Sequence, residues 1–546
     1  MDSASREPKA AAGTPTQGLS IADMMRAEAY PHPVYDLELI ETHISWVILT
    51  GKYAYKIKKP IHYDFIDSST LKRRRRLCEE EFRLNQRLAP ELYVDVVSIG
   101  RTRSGVSVGV SEGVIEYAVQ MHQFDRSQEL ASLLDQPDVA VAQIADLASR
   151  LADFHRQAGI AKPDTSFGDY EQIRDVIASN LGALVSMSQN TAFVHKLNYL
   201  ENWMDEALAR LRPRIEFRKS NGMIRECHGD LHTRNIVRWE GGLLPFDCLE
   251  FDPMLRWIDT ANEIAFLYMD LLGHGRQDLA SEFISRYLEV CGDYESLRLL
   301  KFYAVHRALV RAKVDAIQML QAADPYKVRE SAARFEARIE LALKLSDNSD
   351  PMLILMHGVS GSGKSWLSEQ LGPELAAVRV RSDLERKRIA GIAPTERPGC
   401  GIGVGLYARD RTERTYSRLA ECADHALAGG LHVIVDAAFL DGAQRNRFVT
   451  LAKVCGRRCL ILACRAEHRL LRSRIASRAA TGRDPSDADI AVLERQCGDL
   501  TPFTDEERLH VLEIDTTGLT SAAPVADLIR RLNATESIQG TRPVWR

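Results

Sequence analysis

Between residues 40 and 120 apolar and polar positions alternate with period two in THISWVILTG, YAYKIKK, ELYVDVVSIG and GVIEYAVQM, the pattern of half-buried strands. One charged helical stretch, STLKRRRRLCEEEFRLNQRLA, interrupts them, so a small antiparallel sheet with one helix is predicted. Helical periodicity dominates from about 128 to 215, yields to a strand-rich patch at 224 to 251, and resumes as far as Leu345. A small sheet lobe followed by a larger helical lobe makes this an α+β unit.

LSDNSDP, residues 345 to 351, is polar and ends in proline, and it separates that helical run from a new apolar strand. It divides the chain into a first domain at 24–347, a linker at 348–351 and a second domain at 352–546. The second domain reads MLILMHG, a helix KSWLSEQL, VRVRSD, a helix through 412–428, LHVIVDA, another helix, CLILAC, an Arg-rich helix and HVLEID. Short apolar strands alternating with helices specify an α/β fold, a parallel sheet with helices on both faces. The Ala-, Pro-, Thr- and Gly-rich first 23 residues read as a disordered leader, with folded sequence beginning near Met24.

With 45% hydrophobic and 27% charged residues in 546, the chain is an ordinary folded protein in which each domain has apolar content for a core of its own. Lys plus Arg number 71 against 75 Asp plus Glu, so no cationic surplus marks nucleic acid or an anionic membrane as the main partner; nucleic acid stays possible but not favoured. No signal-peptide core and no run of 18 apolar residues is present, which predicts a protein neither exported nor membrane-spanning. The ten cysteines are scattered; Cys455, Cys459 and Cys464 straddle a strand and lack both CxxC spacing and partner histidines, so they read as buried thiols rather than a zinc site. That usage suits a reducing cytoplasm.

GVSGSGKS, Gly358 to Ser365, follows an apolar strand and opens a helix, the setting a phosphate-binding loop requires. Gly358, Ser360, Gly361, Ser362 and Gly363 let the backbone curl so that its amides and the helix N-terminus surround a triphosphate, which Lys364 also reaches. Ser365 offers a hydroxyl to Mg²⁺, and Asp436, at the end of LHVIVDA, a carboxylate to the same ion or its water. Asp383, in RSDLERKR, is placed either to accept the proton of an attacking hydroxyl or simply to cap a helix. Arg469, Arg472, Arg474, Arg478 and Arg483 fall at spacings that put several on one helical face, and Arg474, Arg478 or Arg483 could close over phosphates as a lid.

HGDLHTRN, His228 to Asn235, precedes an apparent hairpin that turns at Glu240-Gly241-Gly242 and ends at Asp247. Asp230 and Asn235 stand five apart, the interval found in the protein-kinase loop H-R-D-L-x-x-x-N. Phosphoryl transfer needs a group that orients the acceptor hydroxyl and oxygen ligands that hold Mg²⁺; Asp230 supplies the first, Asn235 and Asp247 the second. Upstream, Lys56 and Lys58 share a strand face, and Glu79, Glu80 and Glu81 follow on a helix; Lys56 with Glu81 is the favoured pair for holding ATP phosphates. The basic run Lys72 to Arg76 reads as that helix's exposed face.

These N-terminal motifs resemble the aminoglycoside phosphotransferase family of the protein-kinase-like fold, whose HGDxxxxN loop and later Asp match His228, Gly229, Asp230, Asn235 and Asp247. In that resemblance Asp259 corresponds to an acid that buttresses the loop, while the family's glycine-rich loop has no counterpart, VILTGKYAYKIKK containing only Gly51. Residues 352 to 535 resemble the small-molecule and polynucleotide kinase branch of P-loop proteins. The whole chain is similar to the bacterial group of bifunctional aminoglycoside phosphotransferase/ATP-binding proteins. The resemblance implies transfer of phosphate from Mg·ATP to a hydroxyl acceptor, most simply a small molecule, at each of two sites. The alternatives are that one domain is a nucleotide-sensing regulatory module, for which the missing glycine-rich loop favours the N-terminal one, or that the C-terminal domain acts on polynucleotide 5′ ends.

Overall fold

The computed structural model describes residues 18–538 apart from 64–65, 104, 135, 137–138, 189–190, 348–349, 394–395, 397–408 and 482–489. The alternating N-terminal segments form strands β1 (Glu38–Glu41), β2 (Ser45–Leu49) and β3 (Tyr53–Lys58), a small hairpin of β4 (His62–Tyr63) and β5 (Ile66–Asp67), then β6 (Tyr93–Thr102), β7 (Gly105–Val108) and β8 (Val114–His122). The main sheet is antiparallel in the order β1-β2-β3-β8-β6-β7. Period two sets its faces: Tyr55 and Ile57 pack against Met24, Ala29 and Tyr30, while Lys56 and Lys58 turn toward the helix Leu71–Asn85. Thr70 caps that helix by accepting the Arg73 amide. Its basic run is not wholly exposed: Arg74 is buried, its Nε donating to both Glu116 carboxylate oxygens at 2.9 and 2.8 Å. A pairing between two elements overrides the solvated-face pattern there.

Long helices form the second lobe, among them Val141–Gln157, Thr191–Ser220, Thr260–Gly273, Gln277–Cys291, Leu297–Gln321 and Pro325–Ser346. Set into it are two short antiparallel pairs, β9 (Ile224–Glu226) with β12 (Trp257–Asp259), and β10 (Ile236–Trp239) with β11 (Gly242–Pro245). The β10–β11 turn needs only two residues, Glu240 and Gly241, both at positive φ (48° and 86°), as a tight hairpin matched to strand twist requires.

The remaining strands, β13 (Met352–His357), β14 (Ala377–Arg381), β15 (His432–Asp436), β16 (Arg458–Arg465) and β17 (Val511–Asp515), make an all-parallel sheet ordered β14-β15-β13-β16-β17. One face, with Ile354, Met356, Ile434 and Leu462, is covered by Leu367 and Leu371 of the helix Lys364–Glu374 and by Ala526 and Ile529 near the C-terminus. The opposite face, with Leu355, Val380, Val433 and Val435, lies under the helices Arg409–Ala428 and Gly442–Val454.

The two domains do not keep separate cores. A continuous apolar cluster runs from Leu84 through the helical lobe into Leu355, Val380, Val435 and Phe448. The helix Gln277–Cys291 covers the edge strand β14, where the Arg379 amide donates to Ser285 Oγ at 3.1 Å and the Arg379 guanidinium reaches Glu289 at 3.1 Å. Arg388 donates to the carbonyls of Glu289 (2.7 Å) and Val290 (3.2 Å), and Arg418 to that of Gly292 (2.7 Å). Among the described residues no helix is long and apolar enough to cross a membrane.

Candidate active sites

The segment Cys227–Asn235 joins β9 to β10 and is held from behind. Gly229 has φ 89°, and a Cβ there would lie 2.9 Å from the Leu255 carbonyl, so only glycine lets the chain pass. The amides of His228 and Gly229 donate to Glu263 at 2.7 and 3.1 Å, and the amide and hydroxyl of Thr233 donate to Asp270 at 2.9 and 2.5 Å. Both acids lie on the helix Thr260–Gly273, which therefore carries the loop. Burial raises Glu263 to about 7 against the pull of Arg307 and the two amides, and lowers His228, bonded to the Phe246 carbonyl at 2.8 Å, to about 4. Asp259 serves elsewhere: it accepts two bonds from the buried Arg218 at 2.8 Å and caps the helix through the Ala261 amide. The acid that props the loop is Glu263, one helical turn further on.

Asp230 accepts from the Asn235 carboxamide at 3.0 Å and faces His232 Nε2 at 3.3 Å. Burial opposes its charge, but His232, Arg311 and His228 outweigh it and hold the carboxyl below its usual range. Asn235 Nδ2 donates also to the Asp230 carbonyl at 3.1 Å, which leaves its Oδ1 as the ligand atom. Asp247, at φ 63°, donates its amide to the Tyr93 hydroxyl oxygen (3.1 Å) and brings its carboxylate to Lys56. Lys56 also reaches Glu81 at 2.9 Å; of the three acids in sequence, Glu79 pairs instead with Arg75 and Glu80 with Arg83 and Arg256. Lys58 is fully buried between Glu81 and Glu250, 2.5 Å from each. Burial disfavours these ammonium charges, yet the surrounding carboxylates keep both lysines protonated above their ordinary range and the lysines bring Glu81 down to about 2.

The hairpin turns at the two ends of β2 are closed by the protein itself. In the β1–β2 turn Thr42 Oγ1 donates to the Ser45 carbonyl (3.0 Å) and accepts its amide (2.9 Å). In the β2–β3 turn the amides of Thr50 and Gly51 donate to Gln123 Oε1 at 2.9 and 2.8 Å.

In the C-terminal domain the loop after the central strand β13 curls through positive φ at Gly358 (139°), Gly361 (81°) and Gly363 (85°), and Gly363 stands at the N-cap of the helix Lys364–Glu374. The Ser360 amide donates to Gln496 Oε1 at 2.7 Å. Lys364 Nζ folds back to the Val359 carbonyl (2.8 Å) and Ser362 Oγ (3.5 Å). Ser365 Oγ donates to Asp436 Oδ1 at 3.2 Å while Ser368 Oγ orients the other oxygen at 3.1 Å. Asp383 is not the cap of its helix, Ser382–Ile389, whose N-cap position is Arg381; it pairs with Arg386 at 3.1 Å. Lys364, Ser365, Asp383, Arg386, Asp436 and Arg474 all line one cavity of about 1070 Å³.

Of the arginines in the following helix, Arg474 grips the loop itself, donating to the carbonyls of Gly361 (3.3 Å) and Thr516 (2.8 Å). Arg469 and Arg472 are exposed. The side chain of Arg478 and all of Arg483 lie outside the described residues. Residues not anticipated from sequence are Glu250, Glu263, Gln123, Arg386 and Thr516, whose hydroxyl donates to the Ser362 carbonyl at 2.8 Å. Glu263 had a signal, since it lies at i+4 from Asp259 on one helix face.

Residues 353–503 match the AAA domain family. The chain is 30% identical over 465 residues to the protein Rv2004c of Mycobacterium tuberculosis, an alignment covering 84% of this chain and 90% of the relative, and equally to Mb2027c of Mycobacterium bovis. Among solved structures it is similar to a choline/ethanolamine kinase family protein from Mesorhizobium loti, with 12% identity and TM-score 0.35 over 59% of this chain and 98% of that one. It is similar also to a gluconokinase from Sinorhizobium meliloti 1021, with 18% identity and TM-score 0.27 over 35% of this chain and 99% of that one. The N-terminal region is an α+β unit of antiparallel sheet and helical lobe, and the C-terminal region is an α/β domain that carries the phosphate-binding loop after its central parallel strand.

Proposed function

The chain belongs to the family of the mycobacterial proteins Rv2004c and Mb2027c, and from that premise we propose an ATP-dependent phosphotransferase with two Mg·ATP sites, each moving the γ-phosphoryl group to a hydroxyl of a small molecule. The observation that carries the reading is the C-terminal cavity, onto which phosphate loop, lysine, Ser–Asp pair, second carboxylate and arginines all face. There the loop amides and the N-terminus of the helix Lys364–Glu374 bind the triphosphate, and Lys364 turns from the Val359 carbonyl to its terminal phosphates. Asp383 orients the acceptor hydroxyl, while Arg386 and Arg474 balance charge that develops on the transferring group.

In the N-terminal site Lys56, steadied by Glu81, binds phosphate oxygens, and Asp230 orients the second acceptor. Being held ionised, Asp230 positions the hydroxyl through a hydrogen bond rather than storing its proton. The Ser365 hydroxyl with Asp436, and the Asn235 carboxamide oxygen with Asp247, are hard oxygen donors that suit Mg²⁺. When bound, that ion neutralises phosphate charge. Neither arrangement calls for a covalent intermediate, and ATP as donor goes with the cytoplasmic location expected from the scattered thiols.

The test is incubation of the full chain with γ-labelled ATP and a library of hydroxylated metabolites, read as mass gain of one phosphate. Lys364→Ala and Asp230→Asn should each remove one set of products and spare the other; products untouched by both substitutions contradict the reading. A second reading, in which the N-terminal site senses nucleotide without turnover, is favoured by Gln123 occupying the turn amides and by Lys56 lying against Asp247. Nucleotide binding without ADP formation by the Lys364→Ala chain would select it.

A further inference from the structure

Behind the loop that bears Asp230, three side chains from three separate elements converge: His155 from the helix Val141–Gln157, Cys227 directly after β9, and Glu263 from the helix Thr260–Gly273. The ligand atom each offers lies within 4.8 Å of the other two, and all three residues are buried. His155 is only 3% exposed; its Nδ1 is fixed by the Tyr287 hydroxyl at 2.8 Å, whereas its Nε2 is buried with no hydrogen-bond partner among the described residues. An imidazole nitrogen left so is a cost that native interiors rarely carry, and a metal ion ligated at Nε2 removes it. The Nδ1–Tyr287 bond is then the outer contact that a metal-binding histidine ordinarily makes. Among the described residues the Cys227 thiol has only a weak partner, the Ile258 carbonyl at 3.6 Å.

We propose that His155, Cys227 and Glu263 form a binding site for a zinc-class divalent transition metal. One imidazole, one thiolate and one carboxylate are zinc's own ligand types, and the sulfur and nitrogen donors discriminate against Mg²⁺ and Ca²⁺. Binding releases the thiol proton, and the two anionic ligands match the charge of the dication. The site shares no residue with either proposed Mg·ATP set, but it adjoins one of them. Cys227 precedes His228-Gly229-Asp230 in the chain, and Glu263 holds the amides of His228 and Gly229. The metal therefore staples the base of the Asp230 loop to the helices Val141–Gln157 and Thr260–Gly273.

Cobalt(II) titration of the chelator-stripped full chain tests this, because cobalt bound to thiolate shows a sulfur-to-metal charge-transfer absorption. One equivalent should bind with that band, zinc should abolish it, and a large excess of Mg²⁺ should not. Cys227→Ser should lose the band and His155→Gln should weaken cobalt binding at least tenfold, while both keep the wild-type circular dichroism. Absence of the band in the wild-type chain overturns the proposal whether or not the variants fold. An equal band in Cys227→Ser does so too, since another thiol would then be the ligand.

Discussion

Gly429 closes the helix Arg409–Ala428 where the P-loop domain meets the helical lobe, and a Cβ placed there would sit 2.2 Å from the Leu297 carbonyl oxygen and 2.9 Å from its carbon. Ordinary contact begins at 3.4 Å, so Gly429→Ala must push the two backbones apart by about 1.2 Å, with no flexible side chain to absorb the strain. Overpacking of this kind costs about 1–3 kcal/mol. The same shift carries the neighbouring Arg298 Nε–His425 Nδ1 bond from 2.8 Å out of hydrogen-bond range, for about 1 kcal/mol more. The expected loss is about 2–4 kcal/mol in all. Calorimetry of the full chain converts this into a test of the shared core. At about 2.1 cal/mol/K per residue, a cooperative unit of 546 residues loses about 1 °C per kcal/mol, so its single transition should fall by about 2–4 °C. If residues 352–546 melted alone, the same loss would move a separate transition by about 5–10 °C. Gly182→Ala is the control: apart from the adjacent residues and the helix's own backbone, no atom of the described residues would lie within 4 Å of the added Cβ, and alanine there should raise stability by about 0.5–1 kcal/mol. An unchanged midpoint for Gly429→Ala, or two resolved transitions in the wild type, would refute the reasoning.

Arg218, fully buried, bridges Asp259 and Asp293, so Arg218→Met should leave two largely buried carboxylates uncompensated and cost about 3–5 kcal/mol in urea unfolding; a loss under about 1 kcal/mol would contradict the pairing. Burial lowers His306 to about 3 and His357 to about 4, so each stays neutral in the folded chain while its unfolded counterpart charges near pH 6.5. Stability from this source is complete above pH 6.5 and drains as pH falls from 6.5 toward 4, by about 3 kcal/mol per histidine. Melting midpoints from pH 8 to 4 measure it, and His306→Gln should flatten the acid limb; an identical slope in the variant would count against it.

The features of the sites that a sequence discloses are those made by contiguous residues. Gly358 to Ser365 forms its cradle within one turn, Asp436 ends a strand and Asp383 sits in the first turn of the helix that follows one, strands whose position follows from apolar runs. Asp230, Asn235 and Asp247 likewise belong to one loop and hairpin. What stayed hidden depends on partners far apart in the chain. Gln123 reaches back 73 residues to close a turn, Arg74 is drawn inside by Glu116, and Glu250 completes a buried cluster with a strand nearly two hundred residues earlier. The merged core was hidden for the same reason, since the apolar face of a parallel strand does not say whose helix will cover it.

Counting bound nucleotide by calorimetric titration with a non-hydrolysable Mg·ATP analogue tests the central claim most directly. Two equivalents should bind per wild-type chain, one to Lys364→Ala and one to Lys56→Met. A wild-type stoichiometry of one, or two equivalents retained by Lys364→Ala, would contradict it.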